Sequence, residues 1–223
     1  MIGLAYLIGA IPTSYLAAKH GAGIDLREHG SNNLGATNVY RVLGWGYAIP
    51  VGLFDVAKGF TASYFFAPWV GPEQWIPIAV GVGAILGHVF PVYLKFSGGK
   101  GVATAAGVVL GIAPAATLMS VLVWGALVFA TGIVSLASMS AAIVFPLAVW
   151  VLTPERTTLV YTGVGIAVFI LFSHRSNVRR LFRGTEPRFG QDRRQACLCV
   201  SPSSGPGVGE PLSPTCWSGT GTT

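Results

Sequence analysis

Long apolar runs alternate with short polar islands along this chain. The runs at residues 2–18, 47–70, 75–94, 102–118, 121–134, 136–152 and 158–172 predict seven helical membrane spans. A bilayer core takes about 20 apolar helical residues to cross, and about 17 at the short end. Charge is nearly excluded from these runs. No Asp, Glu, Lys or Arg occurs from Val102 to Pro154, and Glu73 is the only one from Gly59 to Leu94. The middle three runs therefore have no charge to mark their ends. The pattern predicts an all-α integral membrane protein, with the first run as a span. That run lacks the basic start and the cleavage site of a signal peptide. Its abrupt beginning is what a few missing N-terminal residues would give.

The islands carry most of the cations, and this sets an expected topology. Lys19, Arg27, Arg41, Lys95, Lys100 and the arginines after His174 fall in three loops or tails, whereas the alternate connections near Gly71 and Pro154 carry only Arg156. By the positive-inside rule the three islands face the cytoplasm and the N-terminus lies outside. Parity then requires an odd number of crossings in the charge-free stretch. Three crossings of about 17 residues fit it. The turn near residues 131–140 joins the same side, bringing Ser135 and Ser138 with it.

Composition narrows the class further. With 52% hydrophobic and 10% charged residues among 223, and a mean hydropathy of +0.63, the chain is no ordinary soluble domain. Seven of its 14 Lys and Arg residues lie between Arg175 and Arg194. That basic segment suits an anionic leaflet; no soluble domain is present to bind nucleic acid. Cys197, Cys199 and Cys216 all lie near the C-terminal end, leaving the body of the chain without a thiol nucleophile or a cysteine metal site. Residues 1–190 read as one multi-span unit and 191–223 as a disordered Ser/Pro/Gly-rich tail.

Each island has the chemistry of a phosphate site. The first, Gly30-Ser31-Asn32-Asn33-Leu34-Gly35-Ala36-Thr37-Asn38 with Arg41, offers side-chain donors at Ser31, Asn33, Thr37 and Asn38. Arg41 adds a planar fork that matches phosphate. The second runs from Gly87-His88-Val89-Phe90-Pro91 to Gly98-Gly99-Lys100-Gly101-Val102. It resembles a nest of backbone N–H groups ahead of a helix start, with Lys100 adding charge. It is not a Walker A loop, since glycine follows the lysine. The third places His174 and Asn177 one turn apart, on one face if the last helix runs on.

Other features read as structural. Asp55 and Lys58, three apart within the second span, are expected to pair with each other and face the protein interior. His88 reads as a packing residue, and Gly83/Gly87 and Gly107/Gly111 as close-approach helix interfaces. His20 and Asp25 match the H-x4-D spacing of acyltransferases that use coenzyme A or a carrier protein. The surrounding glycines favour a plain loop.

Together the islands resemble the PlsY family of bacterial acyl-phosphate:glycerol 3-phosphate acyltransferases. That family carries GSGN-x-GATN-x-x-R, GH-x-x-P, F-x-GGKGVAT and H-x-x-N-x-x-RL followed by G-x-E. All occur here in order, together with Asp55-Val56-Ala57-Lys58-Gly59 and Gly184-Thr185-Glu186. Asn32 stands where the family usually has glycine, and Ser173 where it is often basic. The resemblance implies acyl transfer from acyl phosphate to the first hydroxyl of glycerol 3-phosphate, at the cytoplasmic face of the bacterial inner membrane, without metal or cofactor. It implies catalytic roles for Ser31, Lys100 and His174. Substrate contacts are implied for Gly30, Asn33, Thr37, Asn38, Arg41, Gly98, Gly99, Gly101, Ser138, Asn177 and Glu186. An upstream enzyme that forms acyl phosphate is the implied partner. An organic-phosphate transporter and an acyl-CoA-dependent acyltransferase are the alternatives.

Overall fold

A computed structural model describes residues 1–189; the tail expected at 191–223 lies outside them. Among the described residues the chain is all-helical. Its α-helices are α1 (Ile2–Gly9), α2 (Thr13–Ala22), α3 (Ala36–Leu43), α4 (Trp45–Phe60), α5 (Ile76–Val89), α6 (Val102–Ile112), α7 (Pro114–Thr131), α8 (Val134–Leu152), α9 (Thr157–Ser173) and α10 (Arg175–Phe182). A π-helical stretch, Thr61–Phe66, carries α4 onward.

Four segments are long and apolar enough to cross a membrane: Ile2–Ala22, Ile76–Leu94, Pro114–Thr131 and Val134–Leu152. The pair α9 and α10, bent by 60°, makes a fifth if counted as one span. The expected first span is found as Ile2–Ala22, with its helix interrupted at Pro12, which has no N–H to continue the ladder. Two expectations need correction. The charge-free stretch does hold three helices, but the boundary expected between 118 and 121 lies at Ala113. Pro114 opens α7 there as a first-turn proline. Nor does the last helix run on, since it turns sharply at His174.

Small residues let the helices touch backbone to backbone. Cβ atoms at Gly9 and Gly87 would strike the main chain of α5 and α1 respectively, and one at Gly107 would strike Val56 O on α4. The expected close-approach helix interfaces therefore form, α5 on α1 and α6 on α4. Ile85, Ala105, Val108, Ala142, Ala167 and Ile170 form a core where α5, α6, α8 and α9 meet. A second core, including Ala18, Leu26, Leu34, Val39 and Val51, anchors the first island against α2 and α4. Arg156 Nη1 donates to Ile112 O at 3.1 Å, tying the Pro154 turn to the end of α6 remote from Lys100.

Candidate active site

The first island is shaped from within by Asn38, which is almost wholly buried. Its Oδ1 accepts from Ser31 N at 2.8 Å, and its Nδ2 donates to His29 O and Asn33 O at 3.0 Å each and to Leu26 O at 3.4 Å. The amide is consumed by the loop's own backbone, so Asn38 frames the loop. Gly30 (φ 63°) and Asn32 (φ 58°) are both left-handed. Asn is among the few non-glycine residues that tolerate that region, which reconciles Asn32 with the family's glycine. Ser31 lies exposed at the loop surface, Asn33 and Thr37 are partly buried, and Arg41 sits in the last turn of α3.

The second island differs from the nest expected of it. Gly98 N and Gly99 N donate to Val89 O and His88 O, at 3.1 and 3.2 Å, and so do not face an anion. These glycines serve close packing instead. A Cβ at Gly98 would meet His88 O, and one at Gly99 would meet Leu34 O and the His88 ring. The Gly99–Leu34 approach joins island two to island one. Gly101 (φ 77°) then starts α6, whose first-turn N–H groups have no partner within the helix. Lys100 Nζ donates to Asn177 Oδ1 and thereby joins island two to island three.

The bend at His174 points Asn177 inward, and both residues are buried. Asn177 Nδ2 donates to Glu186 Oε1 at 2.6 Å, as does Ser135 Oγ at 2.6 Å; Arg180 Nε donates to Glu186 Oε2 at 2.7 Å. Glu186 is thus the hub that fixes which end of Asn177 faces Lys100. His174 Nδ1 lies 2.8 Å from Ile170 O. A carbonyl can only accept, so Nδ1 carries the proton and the neutral ring keeps its lone pair on Nε2.

Electrostatics follow from this crowding. Burial lowers Lys100 to about 8; Glu186 opposes that shift, and Arg180 and Arg41 reinforce it. Burial, helped by the Lys100 charge, pushes His174 down to about 4. Burial raises the Glu186 carboxyl, but the hydrogen bonds from Ser135, Asn177 and Arg180 outweigh it and hold the group below its ordinary range.

Several remaining residues fall outside this network. Ser138 Oγ accepts from Trp124 Nε1 at 3.2 Å, and it is Ser135, one turn earlier, that reaches the hub. The sequence pointed to Ser135 only by grouping the turn near residues 131–140 with the three islands. Asp55 forms a buried ion pair with Lys58 at 2.8 Å. It also accepts from Thr13 Oγ1 at 2.8 Å and lies 3.6 Å from His88 Nδ1. This cluster ties the break after α1 to α4 and α5 beneath the second island. Asp25 is engaged by Arg27, with its nearest contact at 2.6 Å, and that pairing holds its carboxyl at about 2. His20 is exposed at the end of α2. Among the described residues no group of three His, Cys, Asp or Glu could hold a metal ion.

The fold and site define a helical membrane protein with one polar, cation-rich centre assembled from three loops. The family model for glycerol-3-phosphate acyltransferase matches residues 1–184. Glycerol-3-phosphate acyltransferase of Chlorobaculum parvum is 39% identical over 226 residues, covering 87% of this chain and 97% of that protein. A crystal structure of PlsY (YgiH), an integral membrane glycerol 3-phosphate acyltransferase in its glycerol 3-phosphate form, is similar with a TM-score of 0.80. It is 39% identical and covers 87% of this chain and 96% of its own. The lysophosphatidic acid form of PlsY is similar with a TM-score of 0.77 at 38% identity, covering 85% and 94%. This chain belongs to the glycerol-3-phosphate acyltransferase family.

Proposed function

We propose that the protein moves a fatty acyl group from acyl phosphate to the sn-1 hydroxyl of glycerol 3-phosphate, giving lysophosphatidate and phosphate. The observation that carries this reading is the joining of Lys100, Asn177 and Glu186 at one place, with Arg41 and Arg180 close enough to act on the Lys100 charge. Two anionic headgroups must be held together there, and three cations set against a single carboxylate suit that task. An acyl phosphate is already activated. The protein has only to orient the hydroxyl and stabilise the charge on the carbonyl oxygen and departing phosphate.

In this reading Lys100 and Ser31 hold the acyl phosphate, and Arg41 grips a phosphate with help from Asn33, Thr37 and the N–H groups beyond Gly101. His174 Nε2 and Asn177 orient the glycerol hydroxyls. Gly30, Asn38, Gly98, Gly99, Ser138 and Glu186 shape the frame. The hydroxyl oxygen bonds to the acyl carbon as the acyl–phosphate C–O bond breaks. Its proton passes to a phosphate oxygen, directly or through His174. A ring held at about 4 is a weaker base than a phosphate oxygen, whose second pKa is about 6, so the direct path is favoured.

The same reading places seven crossings in a bacterial inner membrane, with the islands cytoplasmic and the N-terminus outside. The positive-inside count supports it. The acyl phosphate comes from an upstream enzyme. The test offers purified protein glycerol 3-phosphate with palmitoyl phosphate, and in parallel with palmitoyl-CoA. Phosphate release and lysophosphatidate formation with the acyl phosphate alone, lost in Lys100→Ala, support the proposal. Turnover with the CoA ester alone moves the chemistry toward His20 and Asp25, and no turnover with either reopens a transporter.

A further inference from the structure

The family match ends at residue 184, but the chain continues across the site for several residues more. Glu186 is held by Ser135, Asn177 and Arg180, and three residues on, Phe189 N donates to Gly132 O at 2.8 Å in the turn between α7 and α8. The Phe189 ring then reaches the opposite wall. It stacks on Tyr40 with centroids 4.6 Å apart and on Trp45 at 5.5 Å, while Tyr40 and Trp45 meet each other at 4.3 Å.

Those two rings flank a helix corner. Tyr40 lies near the end of α3, Trp45 begins α4, and Gly44 alone (φ 86°) separates the two helices. A small rotation at such a junction swings the last turn of α3, which carries Arg41 directly beside Tyr40. Phe189 packs on both sides of the corner, and the segment bearing it is anchored to α8 and α10 through Glu186.

We propose that residues 184–189 form a strap, and that Phe189 is a positioning residue that fixes the α3–α4 corner and so sets Arg41 against the Lys100–Asn177–Glu186 network. The proposal rests on the reading of Arg41 as a phosphate-binding residue. Phe189 acts through Arg41 and is assigned no substrate contact.

The test uses the full-length protein in detergent micelles, with initial rates measured against glycerol 3-phosphate and against palmitoyl phosphate. Aromatic pairs contribute modestly, so Phe189→Ala is expected to raise the KM of one anionic substrate by about five- to tenfold. The kcat is expected to stay within about twofold, because the reacting groups are untouched. Phe189→Tyr restores KM. Arg41→Ala raises the KM of the same substrate, and adding Phe189→Ala to it changes little further, as coupled residues behave. A Phe189→Ala protein with unaltered KM values, beside an impaired Arg41→Ala protein, overturns the strap alone. So does a Phe189→Ala effect retained in full on the Arg41→Ala background, or one that Phe189→Tyr does not rescue. Unaltered KM values in Arg41→Ala overturn the assignment of Arg41 and the strap with it.

Discussion

Alkaline pH should weaken this protein's activity while the Lys100 contribution to stability rises. Burial has lowered its ammonium to about 8. The lysine is then about nine-tenths charged at pH 7 and about one-tenth at pH 9, an overall fall of about tenfold. If the charged form holds the acyl phosphate, kcat/KM falls by that factor across the interval. A bound phosphate favours the charged ammonium, so the limb in kcat lies at higher pH than the limb in kcat/KM. The stability effect runs the other way. An unfolded lysine keeps its proton to about 10.4, so between pH 8 and that value the unfolded chain binds more protons and stability from this group rises with pH. Activity loss without a falling melting temperature therefore separates titration from denaturation. The assay is phosphate release from palmitoyl phosphate over pH 6.5–9.5, corrected for spontaneous hydrolysis, alongside thermal unfolding in the same micelles. In Lys100→Arg the guanidinium stays charged throughout, so the alkaline limb should vanish even though the absolute rate drops. An Arg variant that keeps the limb, or a wild-type profile flat to pH 9.5, refutes the argument.

Other consequences are equally concrete. Glu186→Gln puts an amide where three donors converge; a stability loss of about 2–3 kcal/mol is expected from thermal or denaturant unfolding. It also removes the carboxylate that supports the Lys100 charge, so the alkaline limb should move to lower pH; an unmoved limb would show that the hub does not act on the lysine. Gly99→Ala drives a methyl into Leu34 O and the His88 ring and should cost about 1–3 kcal/mol. Gly125→Ala on α7 meets nothing within 4 Å, so it should be neutral or gain up to ~1 kcal/mol; equal melting temperatures for the two variants would contradict the packing account. Selective ¹⁵N labelling should find the His174 ring neutral and protonated on Nδ1 down to about pH 5, since it is held at about 4. A titration near 6.5 would mean that the ring is neither as buried nor as close to Lys100 as described.

The motif residues were legible because polar groups stand out against an apolar chain, and the all-helical membrane character because lipid demands length. What escaped was non-local. Nothing in Gly98-Gly99 tells whether its N–H groups face an anion or the carbonyls of His88 and Val89; a nest and a packed crossover have the same letters. Asn38 looked like a ligand because asparagine is a versatile hydrogen-bonding residue, yet its four partners are all backbone atoms of its own loop. The α6–α7 boundary was misplaced because, with no charge to mark helix ends, the stretch was divided by length, although Pro114 carried the signal. Asn32 is the instructive departure. Its left-handed φ explains both the family's glycine and why asparagine is the substitute that fits.

The bonds that join the islands also set an order of events in the making of the protein. Lys100 meets Asn177 across 77 residues of chain, and Ser135 meets Glu186 across 51. Contacts at such separations close late, after local helices have formed. During synthesis, the helices α1 to α8 can form while Lys100 still lacks its partner. The network closes only when α10 and the residues just beyond it join that bundle. A nascent chain halted before Asn177 therefore carries Lys100 without the side chain that holds it.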